Sequence, residues 1–244
     1  MLAQHLKVIE TSSGSYVNCD STTVTGLDRC HYMDLIPSGL ADVVSTPLPY
    51  QASILFTYPD RPKSRGQLFI MLRPVVDRAI SYYYWIKLAT WDANHDPEIA
   101  EMSLMEYAGI QRDRPEFNWL TKTLAGKTGE DTGDLTTADL NVAKEVLKRK
   151  AAIGLLTHKG DSLLRFEKYF GWMFEGAASK TCEEELLHWE WSRKGAPAQQ
   201  HEVMESGNPI YKTLERRNSY DAELYRYAER LFFDQELIFH GGRN

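Results

Sequence analysis

The amino-acid sequence predicts an α/β protein with a mainly parallel central sheet, because short apolar strands alternate in it with amphipathic helices. Residues 67–72 form the clearest strand, a continuous apolar run of the kind that parallel sheets bury on both faces. Residues 152–156 form a second short apolar strand. Because a helical pattern follows each run, the chain is predicted to contain two strand-turn-helix units.

The helix after the first strand is predicted from a change of hydrophobic period beyond Pro74. Side chains then recur every three or four residues, which marks one face of a helix. The residues on this face are Ile80, Tyr83, Tyr84, Lys87 and Leu88. The change of period places a turn between the strand and the helix.

A second helix is predicted ahead of the second strand, with Thr136 or Thr137 as its N-cap. Asp139 stands three residues after Thr136, as in a weak capping box. The helix stripe is predicted to be Leu140, Ala143, Val146, Leu147 and Lys150. Asp161 is predicted to open the helix that follows the strand and runs through Phe170. A closing helix is predicted over residues 220–238, with Leu224, Tyr227, Ala228 and Leu231 on one face.

The N-terminal part of the chain has a weaker pattern. A short strand is predicted near residues 6–9, followed by a polar loop over residues 11–25 with one short strand around residues 16–17. The stretch "GLADVVSTP" is interpreted as a helix end and a strand over residues 42–45, stopped by Pro47 and Pro49. "YPDRPKSRG" is predicted to be a turn-rich connector.

Composition places the chain among ordinary globular proteins. Its 244 residues are 43% hydrophobic and 25% charged, and we expect one domain over residues 1–244. No stretch approaches the roughly 18 uninterrupted apolar residues of a membrane span. The net charge is −6 and the 28 Lys and Arg residues are scattered. This argues against a nucleic-acid partner, because such partners need a clustered basic surface.

The cysteines and the N-terminal residues indicate in which cellular compartment the protein is expected. Cys19, Cys30 and Cys182 are widely spaced and odd in number, so neither a disulfide framework nor a CxxC metal site is indicated. A single Cys19–Cys30 bridge stays open as an alternative, disfavoured because disulfides are rare outside oxidising compartments. The start, "MLAQHLKVIETSSG", lacks the apolar core of a signal peptide. We therefore expect either a cytoplasmic protein or one whose upstream anchor is missing from this chain.

Arg73 is the candidate ligand-binding residue, because it ends the first predicted strand just before a helix. In an open parallel sheet, ligands gather at the carboxyl ends of strands, and a helix N-terminus there favours an anion. The guanidinium adds a planar set of donors that matches phosphate oxygens. Ser81 aims its hydroxyl at the same place if the first residues after Pro74 are turn rather than helix.

A structural interpretation of the same residues stays open. In that interpretation Arg73 pairs with a nearby carboxylate such as Asp77, and Ser81 is a solvated helix residue. Arg78 is interpreted as a structural ion-pair partner rather than as a ligand contact.

The stretch "LRPVVDRAIS" resembles the 3′-phosphate-binding segment of sulfotransferases that use 3′-phosphoadenosine-5′-phosphosulfate. It is most similar to the Golgi carbohydrate type related to heparan sulfate 2-O-sulfotransferases, whose pattern is an apolar strand followed by Arg-Asp-Pro-x-Glu-Arg-x-x-Ser-x-Tyr. The matching positions are Arg73, Asp77 (for Glu), Arg78, Ser81 and Tyr83. Three further blocks follow in the family's order: "NWLTKTLAG", "IGLLTHKGDSLLRFEKYFGW" and "NSYDAELYRYAERLF". The similarity spans roughly residues 40 to 235 and leaves residues 1–40 poorly matched.

The resemblance implies a function, a fold and a site. The chain would transfer a sulfuryl group from 3′-phosphoadenosine-5′-phosphosulfate to a hydroxyl of a carbohydrate, without a metal ion. Arg73 and Ser81 would hold the 3′-phosphate of this co-substrate. The implied fold is three-layered and P-loop-like, and the implied location is the Golgi lumen if an upstream anchor is missing.

Three departures from the family's pattern limit these implications. Pro74 follows Arg73 directly, whereas the family has its proline two residues after the arginine, so the turn differs in shape. The Pro-Lys-x-Gly-Thr/Ser loop that cradles the 5′-phosphosulfate has no counterpart. Where relatives have a Gly-His base, "VVSTPLPY" has Ser45, Thr46 and Pro47, and none of these is a base at neutral pH.

The nearest segment to the missing loop is "TSSGSYVN", which has a glycine and hydroxyls but no lysine. The "CDSTT" that follows it does not resemble a helix start, so we interpret the segment as a polar surface loop. We expect the first βα unit of the fold to be missing rather than replaced. A second function therefore stays open, a non-catalytic or truncated module of the same fold that binds nucleotide or glycan without turnover.

Other functional classes fit less well. The histidines show neither the i, i+4 nor the HExxH spacing of a zinc site, and the GxSxG and GxxxxGK[ST] motifs are absent. His31 is a conceivable surrogate base, although a lone histidine is more often a surface residue. His158 is interpreted as a neutral substitution for a glutamate. The tryptophans of "HWEW" are interpreted as core residues, with a sugar-stacking surface as the alternative.

Overall fold

The computed structural model describes residues 5–12, 14–57, 66–91, 95–128, 133–172 and 204–240. Within these ranges the protein is a mixed α/β structure, rich in helix, with two small sheets of two strands each. The α/β class is confirmed, and the mainly parallel central sheet stays a prediction. The chain divides into two compact units, residues 1–68 with 120–143 and residues 69–119 with 144–244. The single domain over residues 1–244 stays a prediction, and each unit is described by itself.

Short strands and helices follow one another along the chain. The first elements are β1 (Val8–Thr11), β2 (Gly14–Val17), α1 (Val24–Tyr32) and α2 (Pro49–Ala52). Next come β3 (Leu68–Leu72), α3 (Val75–Leu88), α4 (Pro97–Glu101), α5 (Leu104–Gly109) and α6 (Trp119–Leu124). The last are α7 (Thr137–Lys150), β4 (Ala151–Leu155), α8 (Lys159–Phe170), α9 (Pro209–Arg217) and α10 (Ser219–His240). Among the described residues, no helix combines the length and apolar character that crossing a membrane requires.

β1 and β2 form an exposed antiparallel hairpin in the first unit. Val8 pairs with Val17, and Thr11 pairs with Gly14. Gly14 has a φ of 138°, a backbone conformation that glycine adopts without steric cost. The strand predicted around residues 16–17 is confirmed, and the one predicted near residues 6–9 forms two residues later, over Val8–Thr11.

α1 begins where the sequence predicted a loop. Thr23 caps the helix, because its hydroxyl accepts the N–H of Gly26 at 3.1 Å. The carboxylate of Asp20 in turn accepts the hydroxyls of Thr22 and Thr23. The interpretation of "CDSTT" as unlike a helix start is therefore wrong, since these side chains build the cap.

The strand predicted over residues 42–45 is also wrong. No strand forms there, and Val44 packs instead against the buried cluster of the first unit. That cluster consists of Leu27, Cys30, Leu35, Ala52 and Leu55. Pro49 opens α2 rather than ending a strand, as its fixed φ allows at the first position of a helix. Most of the predicted connector, residues 58–65, lies outside the described residues.

A disulfide joins Cys19 to Cys30, with the two Cα atoms 5.8 Å apart. Cys30 is fully buried in the cluster of the first unit. The structure thus contains the bridge that the sequence analysis disfavoured. The reason is geometric, because α1 brings Cys30 in its last turn back beside the segment that precedes the helix.

β3 and β4 pair in parallel in the second unit. All residues of β4 are buried, as expected for a strand inside a parallel sheet. β3 alternates instead, and Phe69 and Met71 on one of its faces are each 37% exposed. The prediction that β3 is buried on both faces is wrong, because Phe69 and Met71 stay partly exposed even though Phe69 contacts the rings of Phe166 and Phe170 on α8.

A buried serine joins β4 to α8. The Ser162 hydroxyl accepts the N–H of Leu155 at 2.8 Å and donates to the carbonyl oxygen of His158 at 2.7 Å. Gly154 allows α8 to approach β4 closely. A β-carbon at this position would lie 2.6 Å from the ring of Phe166 and 3.1 Å from the β-carbon of Ser162. The predicted unit of strand, turn and helix is thus confirmed, with α8 beginning two residues before Asp161.

α3 packs one face into a buried hydrophobic core of the second unit. The buried residues of this core are Val76, Ala79, Ile80, Tyr83, Ile86, Ile99, Tyr107, Ala108, Phe117 and Leu214. Two members of the predicted face, Ile80 and Tyr83, are confirmed. Leu88 is 38% exposed, and Lys87 extends to the carbonyl oxygen of Met102, so neither belongs to the core face.

The predictions for α7 and α10 are confirmed in their main features. The Asp139 carboxylate accepts the Thr136 N–H at 2.8 Å and the Thr136 hydroxyl at 2.7 Å, which completes the capping box. The residues of the predicted stripes that are buried are Leu140, Ala143, Leu147, Leu224 and Ala228. The "HWEW" tryptophans lie outside the described residues.

Candidate anion-binding site

Arg73 follows β3 directly and precedes α3 by two residues. Pro74 is the N-cap, with a ψ of 136°, and its carbonyl oxygen accepts the N–H of Arg78 at 2.9 Å. Arg73 is half-buried and makes no hydrogen bond or ion pair with any described residue. The alternative pairing of Arg73 with Asp77 is therefore not formed.

Ser81 lies well inside α3 rather than at its start. The prediction that Ser81 aims at the strand end required a turn after Pro74. α3 begins at Val75 instead, so this condition is wrong. The rise along an α-helix puts Ser81 about 9 Å from Val75 along the axis. By the helical period, Ser81 shares a stripe with Pro74 and Asp77. A ligand that meets both Arg73 and Ser81 must therefore extend along this stripe.

Arg78 has the structural role that the sequence analysis assigned to it. Its guanidinium donates to the carbonyl oxygen of Glu116 at 2.6 Å and lies 3.9 Å from the carboxylate of Asp221. It also lies over the ring of Trp119, 5.7 Å from the centroid. These contacts attach the first turn of α3 to the start of α10.

Asn118 fixes the start of α10. Its side-chain oxygen accepts the N–H groups of Tyr220 and Asp221 at 3.0 and 3.2 Å, so it caps the helix from a distant part of the sequence. Its own N–H donates to the side chain of Asn218 at 2.9 Å. Asn118 has a φ of 52°, a left-handed conformation that asparagine tolerates better than most residues.

α10 runs antiparallel to β4. Near its end, the Gln235 side chain accepts the N–H of Ile153 and donates to the carbonyl oxygen of Ala151, at 3.1 and 2.9 Å. One turn earlier on the helix, Phe232 contacts His158 just beyond the strand, with the ring centroids 5.5 Å apart. The residues of α10 that precede Phe232 therefore extend past the carboxyl end of β4.

The carboxyl edge of β3 and β4 thus brings together groups from four segments. These are Arg73, the first turn of α3, the Thr157–His158 segment after β4 and the first half of α10. The Thr157 hydroxyl and the Nδ1 atom of His158 are 3.1 Å apart. Tyr225 of α10 lies at this edge and is nearly buried, a residue that the sequence analysis did not single out. Its place within the block "NSYDAELYRYAERLF" is the sequence signal that would have pointed to it.

The electrostatic surroundings of this edge are mixed. Burial, then the charge of Glu229 and then that of Asp77 raise the pKa of the Tyr225 hydroxyl, while the Thr157 hydroxyl acts in the opposite sense. Burial also raises the pKa of Tyr211, with contributions from Glu215 and Asp77. Both phenols therefore remain protonated at neutral pH and can donate hydrogen bonds.

The other residues considered as catalytic groups lie in the first unit. The Thr46 hydroxyl donates to the carbonyl oxygen of Ser21 at 2.7 Å, and the Ser21 hydroxyl donates to that of Ser45 at 2.6 Å. Thr46 and Ser45 therefore take part in a local structural link. His31 lies near the end of α1. Within the described ranges, no group of three or more His, Cys, Asp or Glu side chains is arranged to hold a metal ion.

Comparison of the chain with protein-family models, with curated proteins and with solved structures gave no match.

Proposed function

We propose that this protein transfers a sulfuryl group from 3′-phosphoadenosine-5′-phosphosulfate to a hydroxyl of a carbohydrate. One observation carries the proposal: Arg73 stands between a parallel strand and a helix N-terminus, without a hydrogen bond or ion pair to any described residue. An arginine in this position is suited to a phosphate, because its planar donors add to the unpaired N–H groups of the helix. Asp77, the alternative partner, forms no ion pair with Arg73.

The proposed fold is three-layered and P-loop-like, and the parallel pairing of β3 with β4 supports it. In this proposal Arg73 holds the 3′-phosphate from the strand end, and Ser81 meets it from the stripe on α3. The acceptor oxygen forms a bond to sulfur while the bond from sulfur to the bridging 5′-phosphate oxygen breaks. The acceptor proton must pass to a base, and we assign no residue of this chain to that role.

A second function is favoured by the geometry of residues 11–18. This segment, the nearest sequence to a 5′-phosphosulfate loop, turns back as the β1–β2 hairpin instead of leading from a strand into a helix. It also lacks the lysine that such a loop uses. A module that binds nucleotide or glycan without turnover would need the 3′-phosphate contacts but not this loop.

The Cys19–Cys30 disulfide supports a location in the Golgi lumen rather than in the cytoplasm. Disulfides persist in oxidising compartments and are rare in the cytosol.

The proposed cofactor site is tested by calorimetric titration of 3′-phosphoadenosine-5′-phosphate into the protein and into Arg73→Ala. A charge-assisted hydrogen bond contributes roughly 1.5 to 3 kcal/mol, so the affinity should fall about tenfold or more. Arg149→Ala is the matched control, since Arg149 is an exposed arginine on α7 that pairs with Glu145. Equal binding by wild type and Arg73→Ala would contradict the proposal.

The two proposed functions are separated by sulfate transfer. Radiolabelled 3′-phosphoadenosine-5′-phosphosulfate is incubated with the protein and a panel of glycans, and labelled glycan is counted. Transfer that is lost in Arg73→Ala supports the enzyme. Nucleotide binding without transfer to any member of the panel supports the module.

A further inference from the structure

Tyr225 carries a buried hydroxyl that the structure leaves without a partner. The residue is 7% exposed, and its oxygen has no hydrogen-bond partner at ordinary geometry among the described residues. The Thr157 hydroxyl nevertheless lies close enough to act on the pKa of the phenol. The large majority of buried polar side-chain atoms in native proteins are hydrogen-bonded, either to protein or to something bound by it. The Tyr225 hydroxyl is therefore a donor that remains available to an acceptor outside the described chain.

The position of Tyr225 along α10 tells where this acceptor must lie. Asp221, one turn earlier, meets Arg78 in the first turn of α3, and Phe232, two turns later, meets His158 beyond β4. Along the helix axis, Tyr225 is about 6 Å from Asp221 and about 10 Å from Phe232. All three α10 residues are buried and share one face. Tyr225 is thus held between the start of α3 and the segment after β4.

This is the edge of the sheet at which open α/β proteins bind their ligands. Arg73 ends β3 at the same edge, and Asp77 and Thr157 both lie close enough to Tyr225 to influence its hydroxyl. The Arg73 guanidinium and the Tyr225 phenol lie at one strand edge, and both are hydrogen-bond donors. Their shared chemistry selects an anion with several acceptor oxygens.

We propose that the Tyr225 hydroxyl is a further ligand contact of the site, a donor to the same phosphate that Arg73 holds. This inference rests on the proposed function and deepens it, because it adds a residue from α10 to a clamp otherwise made by β3 and α3. The ligand class is a nucleotide with a phosphate on its 3′-oxygen. A phosphate offers three terminal oxygens, so the guanidinium and the phenol can each meet one.

The test is calorimetric titration of 3′-phosphoadenosine-5′-phosphate into wild type, Tyr225→Phe and Arg73→Ala. Tyr225→Phe removes one oxygen atom that has no hydrogen-bond partner at ordinary geometry among the described residues, so the fold should be retained. Tyr107→Phe is the matched control, because the Tyr107 hydroxyl is also buried without a partner but lies in the core between α3 and α5. Thermal unfolding of each variant is recorded beside the titration.

We expect Tyr225→Phe to weaken binding about tenfold without lowering the melting temperature, and Tyr107→Phe to leave the affinity unchanged. Wild-type affinity in Tyr225→Phe, with weakened binding in Arg73→Ala, would overturn this inference and leave the proposed function standing. A lowered melting temperature with unchanged affinity would mean that Tyr225 donates to Asp77 or Thr157 instead, and would also overturn it. Absence of binding by wild type would overturn both the inference and the proposed function.

Discussion

Arg78 and Asp221 lie 3.9 Å apart and connect the first turn of α3 to the first turn of α10. Asp221 is 1% exposed, whereas the Arg78 side chain is 24% exposed and also donates to the carbonyl oxygen of Glu116. The pair therefore holds the helix that starts beside Arg73 against the helix that carries Tyr225. Its integrity should matter for stability and for the shape of the candidate site.

Loss of the Asp221 carboxylate should destabilise the protein. In Asp221→Ala the free energy of unfolding should fall by about 2 kcal/mol, because a partly buried guanidinium loses its counter-charge. Chemical denaturation monitored by circular dichroism measures the change. Glu145→Ala, which removes an exposed ion pair on α7, is the control and should change stability by less than about 0.5 kcal/mol. Equal effects in the two variants would show that the Arg78–Asp221 contact contributes nothing beyond a surface pair.

Asn118 should be sensitive both as a cap and as a left-handed residue. Asn118→Ala removes the acceptor for two N–H groups of α10 and places an alanine at a φ of 52°, so unfolding should become easier by about 3 kcal/mol. Asn118→Gly loses the same cap but has no β-carbon, and it should recover about 1 kcal/mol of that loss. Denaturation curves of the two variants give this difference. If Gly is no better than Ala, backbone conformation at residue 118 is not a source of strain.

The Cys19–Cys30 disulfide can be tested directly by counting alkylated cysteines with mass spectrometry. Protein made under oxidising conditions and alkylated without reduction should carry one modified cysteine, Cys182, and three after reduction. Because the bridge closes a separation of 11 residues, reduction should lower the stability of the first unit by about 3 kcal/mol. Three modified cysteines before reduction would contradict the assigned bridge.

The capping box of α7 predicts a pH dependence with a definite sign. The hydrogen bond from the Thr136 hydroxyl, opposed by burial and supported by the Thr136 N–H and Lys127, lowers the pKa of Asp139. The carboxylate therefore adds stability above its unfolded pKa of about 3.9, and this contribution is lost as the pH falls through the lower folded pKa. Unfolding of wild type and Asp139→Asn is compared from about pH 6 down to about pH 2. Wild type should be more stable at the upper end, and the difference should disappear at the lower end; a constant difference would contradict the assignment.

The second unit was largely predictable because its elements carry long apolar patterns. β3, β4, α7, α8 and α10 follow from runs and periods in the sequence alone. The burial of individual faces was less predictable, since it depends on which neighbour covers them. Phe69 is partly exposed for this reason, although its strand is as apolar as β4.

The first unit was predictable only in part, because polar side chains decide its local structure. α1 starts at a Ser/Thr-rich stretch whose hydroxyls cap a helix, and the pattern alone does not distinguish that cap from a loop. Val43 and Val44 suggested a strand, but Val44 packs on a hydrophobic cluster without strand pairing. The partner of Cys19 likewise depends on a helix that the sequence analysis missed.

Only part of the candidate site could be predicted from the sequence. Arg73 follows from its place at the end of an apolar strand, which local pattern reveals. Tyr225 is separated from it by about 150 residues and reaches the same edge only because α10 runs antiparallel to β4. Ser81 was expected near a turn, but α3 begins directly after Pro74. A ligand that contacts both Arg73 and Ser81 must therefore extend along α3.

The central claim, that Arg73 holds a 3′-phosphate, is tested most directly by comparing two nucleotides on two proteins. Affinities for 3′-phosphoadenosine-5′-phosphate and for adenosine 5′-phosphate are measured by calorimetry on wild type and on Arg73→Ala. We predict that wild type prefers the 3′-phosphorylated nucleotide by about tenfold or more, and that Arg73→Ala loses most of this preference. Equal affinity of wild type for the two nucleotides, or a preference that Arg73→Ala retains in full, would contradict the claim.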